Sequence, residues 1–302
     1  MRAEPFSLGG MPALRWGRPS RQGILYLHGQ GGSKAEAAFF AAAAADAGWQ
    51  TVSVDLPGHG DRESEAAALV PWQVVPELRC ALAELRGRWD RVGLFGSSLG
   101  AWFGLLAYPD APLAGALFLS PVVDMEALIR KMMGWAGVSE ERLAQEGRIP
   151  TTFGQTLSWE YLRYVRTHPA RRWRTPRPLL YGARSHLTDR ETVEAFAARN
   201  GCRLTVEEAG EHWFHTPEQL AVVDRWQRAC RRTWNKRTAK RRPASAGRRC
   251  DLKREQSSDP YSMERLMSAR EWAPHIAMVS ASSAFSFFHI GLDALGTGTV
   301  HH

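Results

Sequence analysis

This chain is poor in cysteine. It has four in 302 residues (Cys80, Cys202, Cys230 and Cys250), and none stands in a C-x-x-C pair. That spacing argues against a disulfide framework or a common zinc site and predicts reduced thiols. Nowhere do 18 apolar residues follow one another, which argues against a membrane-spanning helix. Residues 1–20 lack the apolar core of a signal peptide, so a cytoplasmic protein is expected. An excess of one charge is also missing from most of the chain. The formal net charge is +8, yet residues 1–230 hold 26 Lys+Arg against 25 Asp+Glu, whereas residues 231–302 hold 13 against 6. The basic balance belongs to the tail, and the body has no nucleic-acid signature.

What is present is an ordinary globular composition, 44% hydrophobic and 23% charged, in a chain long enough for one large α/β domain with an insertion. Short apolar runs suited to buried strands occur at 23–27, 50–54, 92–95, 113–119, 178–181 and 203–207, with two short edge strands expected around 6–8 and 13–16. Helical stretches lie between them. The alanine run of 34–47 has high helix propensity and stops at Gly48, and 72–89, 99–106 and 189–200 follow suit. Thr216, Pro217 and Gln219 read as N-cap, first helical residue and capping partner of a last helix. The alternation predicts a mostly parallel sheet covered on both faces. It breaks at 125–175, a helical insertion rich in aromatics with no strand of the main-sheet type. Residues 231–302 show no periodicity that could bury a core and are expected to be disordered. A basic tail of this kind could meet RNA or anionic lipid, be a merely solvated run, or be an unselected extension.

The stretch around which the rest is arranged is Gly96-Ser97-Ser98-Leu99-Gly100, set between an apolar strand and an apolar helix. A serine on so sharp a turn is held in a strained backbone with its hydroxyl exposed, and glycines two residues either side let strand and helix approach. Ser98 fits that frame. A turn centred on Ser97 would put Phe95 and Leu99 at the crowded positions. A small-residue turn that only packs is the alternative reading of this motif alone. A serine hydroxyl needs a base. His212, in a loop after Gly210 and before the capped helix, is the candidate, against the plainer reading of a packed histidine. His215 sits just before the N-cap and suits packing or capping better. Two N–H groups are needed for an oxyanion. Leu99 supplies one, and Gln30, in the glycine-rich loop His28-Gly29-Gln30-Gly31-Gly32, is the candidate for the other. His28 is read as bracing that loop.

Taken together, His-Gly-Gln-Gly-Gly at 28–32, Asp-Leu-Pro-Gly-His-Gly at 55–60, Gly-Ser-Ser-Leu-Gly at 96–100 and Gly-Glu-His at 210–212 resemble the α/β-hydrolase superfamily over residues 5–230. The resemblance implies an α/β-hydrolase fold: an eight-stranded, mostly parallel sheet (core 1–124 and 176–230) and a helical cap (125–175) inserted after the sixth strand. It implies structural roles for Asp55 and His59, and a Ser–acid–His order along the chain. The acid is where the sequence departs. Three residues after Gly182, where the family usually carries an aspartate, stands Ser185. Asp189, which could equally cap a helix, and Asp124, after the sixth strand, are the two candidates. The expected activity is that of a serine hydrolase on a carboxylic ester or related acyl bond of a small molecule, with no metal or organic cofactor. A thioesterase, peptidase or acyltransferase on the same fold, or a non-catalytic ligand-binding relative, stay open. The tryptophans of the insertion suggest an apolar acyl pocket, although aromatics at helical spacing also simply pack.

Overall fold

The computed structural model describes residues 1–173 and 178–236. The end of the insertion at 174–177 and the tail from 237 onward, where disorder was expected, lie outside the described residues. By contacts, Met1–Pro150 and the described chain from Thr156 onward form one unit. The described part of a second unit is Thr151–Gln155, a turn closed by the Thr151 N–H donating to the Gln155 carbonyl at 2.9 Å.

Eight strands make the main sheet: β1 (Glu4–Leu8), β2 (Met11–Trp16), β3 (Gln22–Leu27), β4 (Gln50–Val54), β5 (Arg91–Ser97), β6 (Ala116–Leu119), β9 (Pro178–Gly182) and β10 (Arg203–Glu207). Their order across the sheet is β1-β2-β4-β3-β5-β6-β9-β10, with β2 antiparallel to both neighbours and every pair from β4 onward parallel. From β3 the chain goes to β4 on one side and then returns to β5 on the other. That reversal falls at the carboxyl ends of β3 and β5, the usual ligand position in open α/β sheets.

The strands are apolar on both faces, as helices on both sides require. Leu25, Leu27, Leu94, Phe118, Leu179 and Tyr181 face one buried cluster, while Ile24, Tyr26, Phe95, Leu117 and Leu180 face the other. This is the period-two alternation of strand side chains. The first cluster receives α2 (Pro71–Arg88), whose Val74, Val75, Leu78, Ala81, Leu82 and Leu85 lie on one stripe, and α3 (Ser98–Ala107). The second receives α1 (Ala37–Asp46) and α8 (Pro217–Lys236), with Tyr26 stacked on Phe95 at 4.7 Å and Phe40 against Phe95 at 4.5 Å. The helix expected over 34–47 begins as a short 3-10 turn at Lys34–Glu36, because the Ser33 hydroxyl accepts from the Ala35 N–H two residues on. Helix α8 runs to Lys236, past the boundary expected at 230.

Between β6 and β9 come α4 (Met125–Ala136), α5 (Glu140–Glu146) and α6 (Trp159–Thr167), with α7 (Arg190–Asn200) following β9. The insertion is helical as expected, but it also holds a small antiparallel pair, β7 (Arg148–Pro150) with β8 (Thr156–Ser158), apart from the main sheet.

Candidate active site

The turn from β5 into α3 places Ser98 at φ 46°, the left-handed region that costs a non-glycine residue conformational energy. The tightness around it comes from helix α3 lying hard against the carboxyl end of β3. A Cβ on Gly100 would overlap the carbonyls of Leu27 and His28, and one on Gly96 would lie 2.7 Å from the Ala101 Cα. Gly100→Ala is therefore expected to push α3 off β3, costing about 1–3 kcal/mol as overpacking does. It should also displace Ser98. Thermal unfolding and the rate of Ser98 modification, measured on the same variant, check both effects.

His212 lies in the loop between β10 and α8. Its Nε2 is 2.8 Å from Ser98 Oγ and its Nδ1 is 2.9 Å from Ser185 Oγ. Backbone bonds hold the two loops concerned together: the Ala183 N–H donates to the Glu207 carbonyl and the Arg184 N–H to the Gly210 carbonyl, both at 2.9 Å. The far end of the histidine loop is pinned by the helix cap. Thr216 Oγ1 accepts from the Gln219 N–H at 3.3 Å, and Gln219 Oε1 accepts from the His215 N–H at 3.1 Å. His215 itself turns to the Trp213 carbonyl (2.8 Å) and to Glu211 (3.5 Å). Burial, and then the neighbouring His186, hold His212 well below an ordinary histidine, down to about 4.

Neither aspartate expected to complete this set reaches the imidazole. Asp189 is exposed and ion-paired with Lys131 of α4 at 2.6 Å, at the start of α7. Asp124 turns its carboxylate to the Ala127 N–H (2.9 Å) as the N-cap of α4. Each carboxylate is bonded to a group other than the imidazole, Asp189 to Lys131 and Asp124 to the Ala127 N–H. Among the described residues no carboxylate is hydrogen-bonded to His212. Ser185 holds that place.

The glycine-rich loop after β3 lies beside the nucleophile position, with a Cβ on Gly29 falling 3.3 Å from the Ser98 Cβ. Two histidines hold the loop in defined tautomers. His28 Nε2 accepts from the Leu56 N–H (3.0 Å), so its Nδ1–H donates to the Gly29 carbonyl (2.8 Å). His59 Nε2 accepts from the Gly31 N–H (3.0 Å), and its Nδ1–H donates to the Pro57 carbonyl (2.9 Å). Burial lowers His28 to about 4, which keeps it neutral and able to accept. The carboxylate of Asp55 is fully buried. It accepts from the Lys34 ammonium and from the backbone N–H groups of Lys34 (2.8 Å) and Asp61 (2.9 Å). Sequence reasoning missed Arg62, which is buried and pairs with Glu77 of α2 (2.9 Å) and with Glu65 (2.6 Å), anchoring the loop after β4. Among the described residues the Gln30 N–H has no acceptor, and the Leu99 N–H opens helix α3, where the first amides lack intrahelical acceptors. The sequence also gave no sign of Ser120. It follows the Leu119 that pairs with Ser97 across the sheet, and it too has positive φ (41°) and a buried hydroxyl without a partner among the described residues.

Among the described residues no three His, Cys, Asp or Glu side chains gather to hold a metal ion, and no helix is long and apolar enough to cross a membrane. In sequence, residues 24–250 match the model of the alpha/beta hydrolase family. No curated protein matches the chain. Among solved structures, Est1E from Butyrivibrio proteoclasticus, with ferulic acid bound, superposes with a TM-score of 0.64 at 14% identity, over 78% of this chain and 100% of that one. Alpha/beta hydrolase domain-containing protein 10 from mouse gives 0.58 at 12%, over 77% and 99%. A thioesterase domain from the curacin biosynthetic pathway gives 0.50 at 17%, over 75% and 99%. At these identities the likeness is one of fold.

Proposed function

Because this chain belongs to the alpha/beta hydrolase family, we propose that it is a serine hydrolase cleaving a carboxylic ester or related acyl bond of a small molecule through an acyl-enzyme. The observation that carries this reading is the 2.8 Å contact between a hydroxyl on a strained turn, Ser98, and the imidazole of His212. Ser98 Oγ attacks the carbonyl carbon while its proton passes to His212 Nε2, and the N–H groups of Leu99 and Gln30 meet the oxyanion. His212 then gives that proton to the leaving group and accepts another from the water that releases the acid.

The helices between β6 and β9 form the cap in this reading and shape the acyl pocket. Lys131 of α4 touches the β9–α7 loop through the His186 carbonyl (3.3 Å), which brings the insertion to the edge of the site. That His212 Nδ1 meets the Ser185 hydroxyl, with no carboxylate bonded to the ring among the described residues, favours a second reading, a ligand-binding relative with little turnover. Product analysis on a panel of p-nitrophenyl esters and acyl thioesters separates the two. Turnover that disappears in Ser98→Ala supports the hydrolase, the preferred leaving group tells ester from thioester, and binding without turnover supports the relative.

A pH dependence follows from the position of His212. The imidazole acts as base only when neutral, and burial puts its titration at about 4. The rate of Ser98 acylation is expected to stay flat from pH 7 down to about 5, where a histidine of ordinary pKa near 6.5 would already be protonated. Below about 4 the rate should fall as the ring takes up its proton. Rates in a buffer series at constant ionic strength check this.

A further inference from the structure

We infer that Ser185 is the positioning residue of this site, its hydroxyl holding the outer face of the His212 imidazole where a carboxylate would otherwise stand, so that the ring is oriented but the positive charge it gains during the reaction is not compensated. The inference rests on the serine-hydrolase reading above. It starts from two contacts on opposite ring nitrogens, Ser98 Oγ at 2.8 Å and Ser185 Oγ at 2.9 Å. Ser185 is itself fixed by its place in the loop. Its N–H donates to the Gly182 carbonyl at 3.0 Å, and its Oγ lies 3.5 Å from the Thr188 N–H. Thr188 is held in turn by the buried Tyr181 hydroxyl, which donates to the Thr188 carbonyl at 2.8 Å.

The chemistry of a hydroxyl differs from that of a carboxylate in two ways. An ionised carboxylate only accepts, so it forces the proton onto the facing ring nitrogen, whereas a hydroxyl both donates and accepts. With serine on each side, the ring can carry its proton on Nδ1, leaving Nε2 free to take the Ser98 proton, or on Nε2, where it cannot act as base. A carboxylate also stabilises the imidazolium by charge, which a hydroxyl does not. Among the described residues the groups around the ring offer no substitute. His186, on the same loop as Ser185, opposes a positive charge. Lys131 of α4 is paired with Asp189 at 2.6 Å, and Glu211 on the histidine's own loop faces His215 at 3.5 Å. Burial first, and then His186, lower the His212 titration.

The test is the rate at which a fluorophosphonate modifies the full chain, followed from pH 3.5 to 9. In that step a bond forms between Ser98 Oγ and phosphorus, fluoride leaves, and the Ser98 proton goes to His212 Nε2. Ser185→Ala is expected to slow modification by about 10–100-fold, the cost of an unsupported polar ring. Ser185→Thr, which keeps the hydroxyl, should restore at least about tenfold of that loss. Ser185→Asp should move the acid limb of the profile upward by about 1–3 pH units, because an adjacent negative charge favours the imidazolium. If Ser185 only packs, Ser185→Ala would be slowed relative to neither Ser185→Thr nor the parent except through unfolding, which a thermal melt of each variant shows. The Ser185→Asp shift tests whether position 185 faces the ring. The inference is overturned if Ser185→Ala reacts within twofold of the parent, if Ser185→Thr is as slow as Ser185→Ala, or if Ser185→Asp leaves the acid limb in place. If the folded parent itself is not modified at Ser98, the hydrolase reading falls instead.

Discussion

Replacing His212 with alanine is expected to slow modification of Ser98 by acylating or phosphonylating reagents by about 10²–10⁴-fold, the usual contribution of a positioned general base. The Ser98 hydroxyl is 2.8 Å from Nε2 and has no other base within hydrogen-bonding distance among the described residues. With the ring gone, its proton must leave to water, and the strained turn alone does not make the oxygen a nucleophile. The loss should be in the chemical step, with ligand binding little changed, so kcat falls while KM stays close to the parent value. His215→Ala, three residues on, is the matched control. Its ring is occupied by the Trp213 carbonyl and Glu211, and its removal should change the rate less than about twofold.

The largest expected effect on stability is at Asp55. Its carboxylate is fully buried and neutralises Lys34, whose side chain is also largely buried, while accepting two backbone N–H bonds that tie the loop after β3 to the loop after β4. Asp55→Ala leaves two amides without their acceptor and the Lys34 ammonium with only the exposed Asp61 carboxylate at 2.9 Å, and removing one partner of a buried pair costs about 3–5 kcal/mol. The mechanism predicts more than loss of stability. The loop carrying Gln30 is held by His28, His59 and Asp55 together, so the folded fraction of the variant should also modify Ser98 more slowly. Chemical denaturation, followed by rate measurement on the folded fraction, resolves the two effects. Burial raises the Asp55 pKa, but the hydrogen bonds and charge of Lys34 outweigh it and leave the carboxyl below its ordinary value. The pair therefore contributes its full stability above the unfolded carboxyl pKa near 4, and loses it as pH falls through the lower folded value.

How much of this is legible in the sequence differs from one element to the next. The sheet is legible because its strands are apolar on both faces, and 23–27, 50–54 and 203–207 read as strands within a residue or two of where they lie. The elbow is legible because only glycines fit where α3 crosses the β3 carbonyls, and the histidine loop because it is bounded by Gly210 and a capped helix. The strands β7 and β8 are not, since three residues apiece are too short for any alternation to show. The partner of His212 is the instructive case. Asp124 looks like a functional acid by position, yet its carboxylate serves the Ala127 N–H three residues away, a local cap that the sequence also allows. Asp189 is taken by Lys131, 58 residues earlier in the chain, which no local pattern reveals. Ser185 stands where the family's spacing points, but a serine in a loop carries no signal of its own. Only the backbone bonds from Ala183 and Arg184 to the histidine loop bring its hydroxyl to the ring.

The central claim is that Ser98 is a nucleophile activated by His212. Incubating the intact, folded chain with a fluorophosphonate and mapping the adduct by peptide mass spectrometry tests it directly. A single adduct on the peptide carrying Ser98, absent from Ser98→Ala and strongly slowed in His212→Ala, is the expected result. A folded chain that stays unmodified, or an adduct on Ser97, Ser120 or Ser185 instead, would contradict it.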